Sequence, residues 1–257
     1  MGYLEEILQS ARARVADARA RLSDDALEQR IASVEAPRGF AAALQGPDVA
    51  VIAEIKRATP RLGPLNTDLD AARVAQEYVA GGAAALSVLT EPDHFLGSIE
   101  DLQAARGAGV PVLRKDFVID ELQVLESRAE GADAVLLIVR ILGDELGRLL
   151  TAIEALGMDA LVEAHDEVEL ERALAAGASL VGVNHRDLAT FDVDPERTAK
   201  LAPLLPEGVT LVALSGVSTR AEVEALARAG AQAVLVGQSV VTAADPQAKV
   251  RALVGGA

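Results

Sequence analysis

The chain contains no cysteine and no tryptophan, and only two tyrosines and four phenylalanines among its 257 residues. Without a thiol there can be no disulfide, no thiolate metal ligand and no cysteine nucleophile. With aromatics at 2% of residues and apolar residues at 51%, the interior has to be filled by Ala, Val, Leu and Ile. Residues of that kind suit parallel strands covered by helices. Long hydrophobic runs are missing too, since none approaches the ~18 residues of a membrane span. Excess basic charge is also absent: 39 acidic against 24 basic residues give a formal charge of −15, so the average surface repels nucleic acid and anionic membranes. A locally basic pocket for an anion is compatible with that balance. The N-terminal "ARARVADARARL" mixes acids with its arginines and leads into no apolar core with a cleavage site, so it does not read as a secretory leader. The expectation is a cytoplasmic protein with no nucleic-acid or membrane partner.

What is present is repetition. Short apolar runs occur at 50–55, 83–89, 111–114, 133–139, 159–163, 179–183, 209–214 and 232–236. Their near-continuous hydrophobicity is that of strands covered on both faces. Segments with helical spacing lie between them. Asp120 with Gln123, Asp166 with Glu169, and Thr219 with Glu222 have the spacing of a cap and its reciprocal partner. Gly82, Gly109, Gly131, Gly157, Gly177, Gly208 and Gly230 each stand between a helix and the next strand, the place of a C-terminal stop. Eight such units in succession predict an α/β fold, a closed (β/α)8 barrel of the TIM type; an open doubly wound sheet of eight strands is the alternative. Residues 1–49 form a helical extension to the barrel of 50–257, the whole being one domain. In that extension Leu4, Leu8, Ala11, Val15, Ala18 and Leu22 make a stripe that should pack on a barrel face.

Function in such a barrel gathers at the C-terminal strand ends. The first strand ends with Glu54 and Lys56, two apart and so on one side, which could be a functional pair or a satisfied ion pair. The third ends Arg114-Lys115-Asp116, where one cation should point into the mouth and the other away. The fifth ends at Glu163, and the sixth offers Asn184 and Arg186, again two apart. His94 and His165 read as polar loop residues. After the seventh and eighth strands come Ser215-Gly216 and Gly237-Gln238-Ser239, small residues whose backbone N–H groups can cradle a phosphate, although two turn glycines would look the same. Lysine and glutamate together suit proton transfer; a lysine could instead form a Schiff base, as in an aldolase.

The strings "IAEIKRATPRLG", "PVLRKDF", "ALVEAH", "VGVNHRDLATFDVD", "LVALSGVS" and "AVLVGQSVVTAADP", in this order, resemble the indole-3-glycerol phosphate synthase family over nearly the whole chain. The resemblance implies an enzyme of tryptophan biosynthesis, usually monomeric, with no metal or organic cofactor and a small phosphorylated substrate. It closes the ring of 1-(2-carboxyphenylamino)-1-deoxy-D-ribulose 5-phosphate with loss of CO2 and water. By the same resemblance Lys115 is the general acid and Glu163 the complementary base. Lys56 holds the substrate carboxylate, and Glu54 orients the lysines. Asn184 and Arg186 bind polar groups near the aromatic ring, which Phe117, Leu136 and Leu188 line, while Thr59 keeps a hydroxyl after the first-strand lysine. Ser215, Gly216, Gly237, Gln238 and Ser239 match the phosphate cradle.

Four departures accompany the resemblance. Thr59-Pro60-Arg61 stands where the family usually has Ser-Pro-Ser, His185 replaces a small or amide residue, and Gln238 replaces a frequent Glu or Ser. Leu214 is the largest, because the family's seventh strand typically ends Glu-Ser-Gly with that glutamate in the substrate site. The competing readings are a diverged or engineered barrel enzyme acting on another phosphorylated substrate, aldolase-like in its lysine, and a non-catalytic phosphate-ligand barrel. An isomerase of the same fold would need a Cys/Asp pair, and the chain has no cysteine.

Overall fold

A computed structural model describes residues 3–187 and 190–256. Eight parallel strands follow one another around a closed ring: Ala50–Ile55 (β1), Ala85–Leu89 (β2), Val112–Lys115 (β3), Ala134–Ile138 (β4), Asp159–Ala164 (β5), Leu180–Asn184 (β6), Thr210–Leu214 (β7) and Ala233–Val236 (β8), with β8 pairing back onto β1. The open-sheet alternative is thereby excluded. Each strand lies within two residues of its expected span. A two-stranded hairpin, Ala58–Thr59 with Gly63–Pro64, stands in the loop after β1.

The sequence sets this architecture through turn chemistry as much as through hydrophobicity. All seven expected stop glycines adopt positive φ, between 74° and 105°, a region open to glycine at little cost. At the other helix ends, of the three expected cap pairs Thr219 and Glu222 make a reciprocal capping box. Asp120 and Asp166 do cap their helices, but Gln123 and Glu169 reach one residue further back, accepting from the N–H of Ile119 and of His165.

Two apolar clusters follow from strand alternation. Val51, Ala53 and Ile55 face outward against the helices, as do Val135, Leu137, Val162, Val181 and Val234. Ile52, Leu113, Leu136, Leu161, Leu180, Val212 and Leu235 point into the barrel. The last inward side chain of each strand therefore emerges at the mouth.

The N-terminal extension closes the barrel at both ends rather than covering one face. Helix α1 (Tyr3–Arg21) lies at the mouth and buries Ile7, Ala11, Val15 and Ala18, so Ile7 takes the buried place expected of Leu8. Arg14 grips Asp116 with two hydrogen bonds of 3.0 and 2.9 Å, and Arg19 holds Asp120 at 2.7 Å. Helix α2 (Asp24–Ser33) packs against the helix that follows β3. Residues 38–45 then plug the other end: the Ala41 N–H donates to Asp159 at the start of β5, and Gln45 donates to Thr210 at the start of β7. Phe40 and Leu44 are buried there. No helix among the described residues is long and apolar enough to cross a membrane.

Candidate active site

A cavity of about 600 Å³ opens at the C-terminal end of the barrel. Its lining includes Glu54 and Lys56 from β1, Lys115 from β3, Glu163 from β5, Asn184 and Arg186 from β6, and Leu214 with Ser215 and Gly216 from β7. Gly237, Gln238 and Ser239 after β8, Thr59 in the hairpin, and Phe117 also line it. Fourteen of the sixteen candidate residues thus meet at one place. Leu136 does not: it lies one inward layer below the mouth, 1% exposed, and Ile138 two residues on takes the lining position. Two residues of strand advance the chain by about 6.5 Å, enough to separate a core layer from a pocket wall. Leu188 lies outside the described residues.

The β3 end divides its charges as alternation requires. Arg114 turns outward, 2% exposed, and donates to Thr90, Gln123 O, Glu126, Ser127 and Asp116. Asp116 in turn accepts from Arg14, Thr90 and the Phe117 N–H. Burial alone would raise the Asp116 carboxyl, but the charge of Arg114 and the hydrogen bond and charge of Arg14 outweigh it and hold the group well below the carboxylate range. Lys115 is left facing the cavity.

Lys115 Nζ lies 3.9 Å from Glu163 Oε2, and Asn184 donates to Glu163 Oε1 at 3.0 Å. Lys56 and Glu54 form an ion pair, at 2.7 Å, on the wall of the cavity. That pair lies against Gly237: a Cβ there would meet Glu54 Oε1 at 2.2 Å and Lys56 Nζ at 2.6 Å, so any larger residue would push the ends of the pair aside. Arg186 donates to Phe191 O, and burial together with the nearby charge of Arg61 lowers its guanidinium pKa.

The loops after β7 and β8 are tied together. Ser215 and Gly216 are consecutive left-handed residues, with φ of 69° and 79°. Ser239 Oγ donates to Val217 O at 3.1 Å, and Lys249 donates to Ser218 O at 2.7 Å. His185 points away from the cavity and supports this turn from behind: its Nδ1–H donates to Ser215 O, which leaves Nε2 to accept the Thr198 hydroxyl. Burial lowers its pKa, in keeping with a neutral ring.

Several lining residues carry no signature in the sequence. Tyr3, Leu4 and Ile7 arrive from α1, Phe95 from the loop after β2, and Phe191 from the loop after β6. Tyr3 stands edge-on to both His94 and Phe191, at 5.1 and 5.2 Å between ring centroids. His165 lies in the loop just after β5, as expected, but it is buried there, 3% exposed, beside Glu163. Four of the six aromatic residues, Tyr3, Phe95, Phe117 and Phe191, line the cavity, so in a chain this poor in rings their positions are themselves a signal.

The fold and site can be set beside known proteins. The family model described as indole-3-glycerol phosphate synthase matches residues 4–253. The indole-3-glycerol phosphate synthase of Parafrankia sp. is 54% identical over 256 residues, spanning 99% of this chain and 96% of that relative. Its counterpart from Mycobacterium tuberculosis is 49% identical over 253 residues, spanning 98% and 93%. Among solved structures, a 3-hexulose-6-phosphate synthase superposes with a TM-score of 0.63 at 18% identity, covering 80% of this chain and 98% of that one, a likeness of fold alone. With nearly its full length matched at such identities, the chain belongs to the indole-3-glycerol phosphate synthase family.

Proposed function

We propose that the protein converts 1-(2-carboxyphenylamino)-1-deoxy-D-ribulose 5-phosphate into indole-3-glycerol phosphate, CO2 and water. The observation that carries this reading is the convergence, in one cavity, of two lysine–glutamate pairs with the paired small-residue loops after β7 and β8. The substrate bears an anion at each end. Its phosphate sits on the backbone N–H groups of Ser215, Gly216, Gly237, Gln238 and Ser239, and its carboxylate is met by Lys56, with the Thr59 hydroxyl close by. Anchoring both ends places the ring carbon over the ketose carbon, and most of the rate gain of such a closure is orientational. Asn184 and Arg186 hold the polar groups near the ring, which Phe117, Ile138 and Leu214 flank.

The steps need only proton transfers. The aryl carbon that carries the carboxylate attacks C2 of the ketose, and Lys115 gives a proton to the carbonyl oxygen. CO2 departs and leaves its bonding pair to the ring. Lys115 regains a proton from solvent, and the new hydroxyl then leaves C2 as water with that proton, while Glu163 takes the proton lost from C1. Glu54 orients Lys56 at 2.7 Å; an ammonium held that closely donates hydrogen bonds rather than attacking a carbonyl, which argues against the aldolase reading. We read the enzyme further as a cytoplasmic monomer acting on this small phosphorylated substrate.

Two comparisons test the assignment. Lys115→Ala should lower kcat by about 10²–10⁴-fold, the usual worth of a general acid, with KM little changed. The dephosphorylated substrate should show a large rise in KM. An unchanged rate in Lys115→Ala refutes the role of that lysine, and equal KM values refute the phosphate cradle.

A further inference from the structure

The ring-closure assignment leaves one buried titratable group beside the reacting carboxylate unused. We propose that His165 is a positioning residue for Glu163, an imidazolium that holds the Glu163 carboxylate ionised and turned toward Lys115. The proposal rests on the reading of Glu163 as the base.

Glu163 and His165 are two residues apart, on the same side of β5 and its continuation, and both are buried. Glu169, from the helix Glu167–Ala175, clamps the histidine: its Oε2 accepts the His165 backbone N–H at 2.8 Å and stands 2.9 Å from Nδ1. Arg140 fixes the other oxygen of Glu169 at 2.7 Å. Burial would raise the Glu169 carboxyl, but hydrogen bonds from His165 and Arg140, with their charges, hold it down to about 2. Glu169 is therefore an acceptor at any working pH, and the proton on that contact belongs to Nδ1.

Nε2 then faces Glu163 Oε1 at 3.5 Å, buried and with no hydrogen-bond partner among the described residues. In a neutral ring that nitrogen would carry a lone pair, setting two acceptors against each other where neither is solvated. A second ring proton removes the conflict. The charged groups around the pair are Glu163 on β5, Glu169 on the following helix, and the cations Arg140 and Lys115, with Asp187 held by Arg140 at 3.3 Å. Asn184, the remaining polar neighbour of Glu163, is neutral and donates to the same Oε1. Glu163 Oε2 is left without a hydrogen-bond partner among the described residues, buried, with Lys115 3.9 Å away; it is the oxygen placed to take the substrate proton.

The direct test is nitrogen-15 NMR of the imidazoles in the native protein, which has only three histidines to assign. The expected result is a His165 ring protonated on both nitrogens at pH 7; a ring with a bare Nε2 overturns the proposal. Kinetics give a second readout. In His165→Gln, which keeps a hydrogen-bond donor but never a charge, kcat should fall by about 10- to 100-fold with KM within about twofold. An unchanged kcat in a folded variant would contradict the proposal. The NMR result does not depend on turnover, so a wild-type protein unable to close the ring would sink the functional reading while the charge on His165 was still decided.

Discussion

Leu214 closes the seventh strand with an apolar side chain at the cavity mouth, where the neighbouring sixth strand ends in Asn184. It is 1% exposed, pairs in register with Asn184 on β6, and ends the apolar barrel lining where the other strands bring Lys115 and Glu163 to the mouth. Its Cδ1 fills the space above Gly182, where a Cβ would come within 2.8 Å. Leu214→Glu should raise kcat/KM by adding a carboxylate to the substrate site, and should lower stability by about 1–3 kcal/mol, the cost of burying a charge in place of packed methyl groups. Steady-state kinetics and urea denaturation of the variant read both effects. A fall in kcat/KM would mean that the cavity has been rebuilt around the leucine. At this scale the sequence was most legible where polarity interrupts an apolar run, as at Glu54, Lys115, Glu163 and Asn184. It was least legible in β4, where Leu136 and Ile138 are both apolar and both point inward, so nothing in the residues says which of the two layers reaches the mouth. The role of His165 was hidden for another reason: it depends on Glu169 turning back from the next helix to clamp the ring.

At the scale of elements, the strands and helix stops were written in local chemistry, and the structure places them within two residues of expectation. The docking of α1 was not. Its apolar stripe shows that it packs but not where, and the address is set by Arg14 meeting an aspartate 102 residues away. Because Asp116 directly follows Lys115 and α1 carries Tyr3, Leu4 and Ile7 into the cavity, this ion pair couples the lining of the pocket to the strand that bears Lys115. Arg14→Met keeps the length of the side chain and removes the pair. It should cost about 2 kcal/mol, less than a fully buried pair because Arg14 is one-quarter exposed and Asp116 keeps Arg114. It should also raise KM severalfold with kcat nearly unchanged, since substrate contacts loosen while Lys115 stays in place. Chemical denaturation and kinetics together check this, and a stable variant with native KM would show that α1 docks by its apolar face alone.

For the whole molecule, the charge distribution carries both a functional and a stability consequence. The chain carries a formal charge of −15, whereas the cavity lining sets four cations, Lys56, Arg61, Lys115 and Arg186, against three carboxylates, Glu54, Asp116 and Glu163, so an anionic substrate meets a locally favourable field there. Stability should follow pH through the carboxylates held by buried cations. Asp116 and Glu169 both have folded pKa values below their ordinary 3.8 and 4.5, Glu169 at about 2. Their contribution is complete above those ordinary values and is lost as pH falls toward the folded ones. Urea midpoints should therefore change little from these groups between pH 5 and 7, and should fall steeply below about pH 4.5. Asp116→Asn should be less stable at neutral pH and show a shallower acid slope; an unchanged slope would remove Asp116 from the account. The central claim concerns the reaction, and it is tested most directly by a single-turnover experiment with purified protein in excess over 1-(2-carboxyphenylamino)-1-deoxy-D-ribulose 5-phosphate. The account predicts one equivalent each of CO2 and fluorescent indole-3-glycerol phosphate; substrate recovered intact would contradict it.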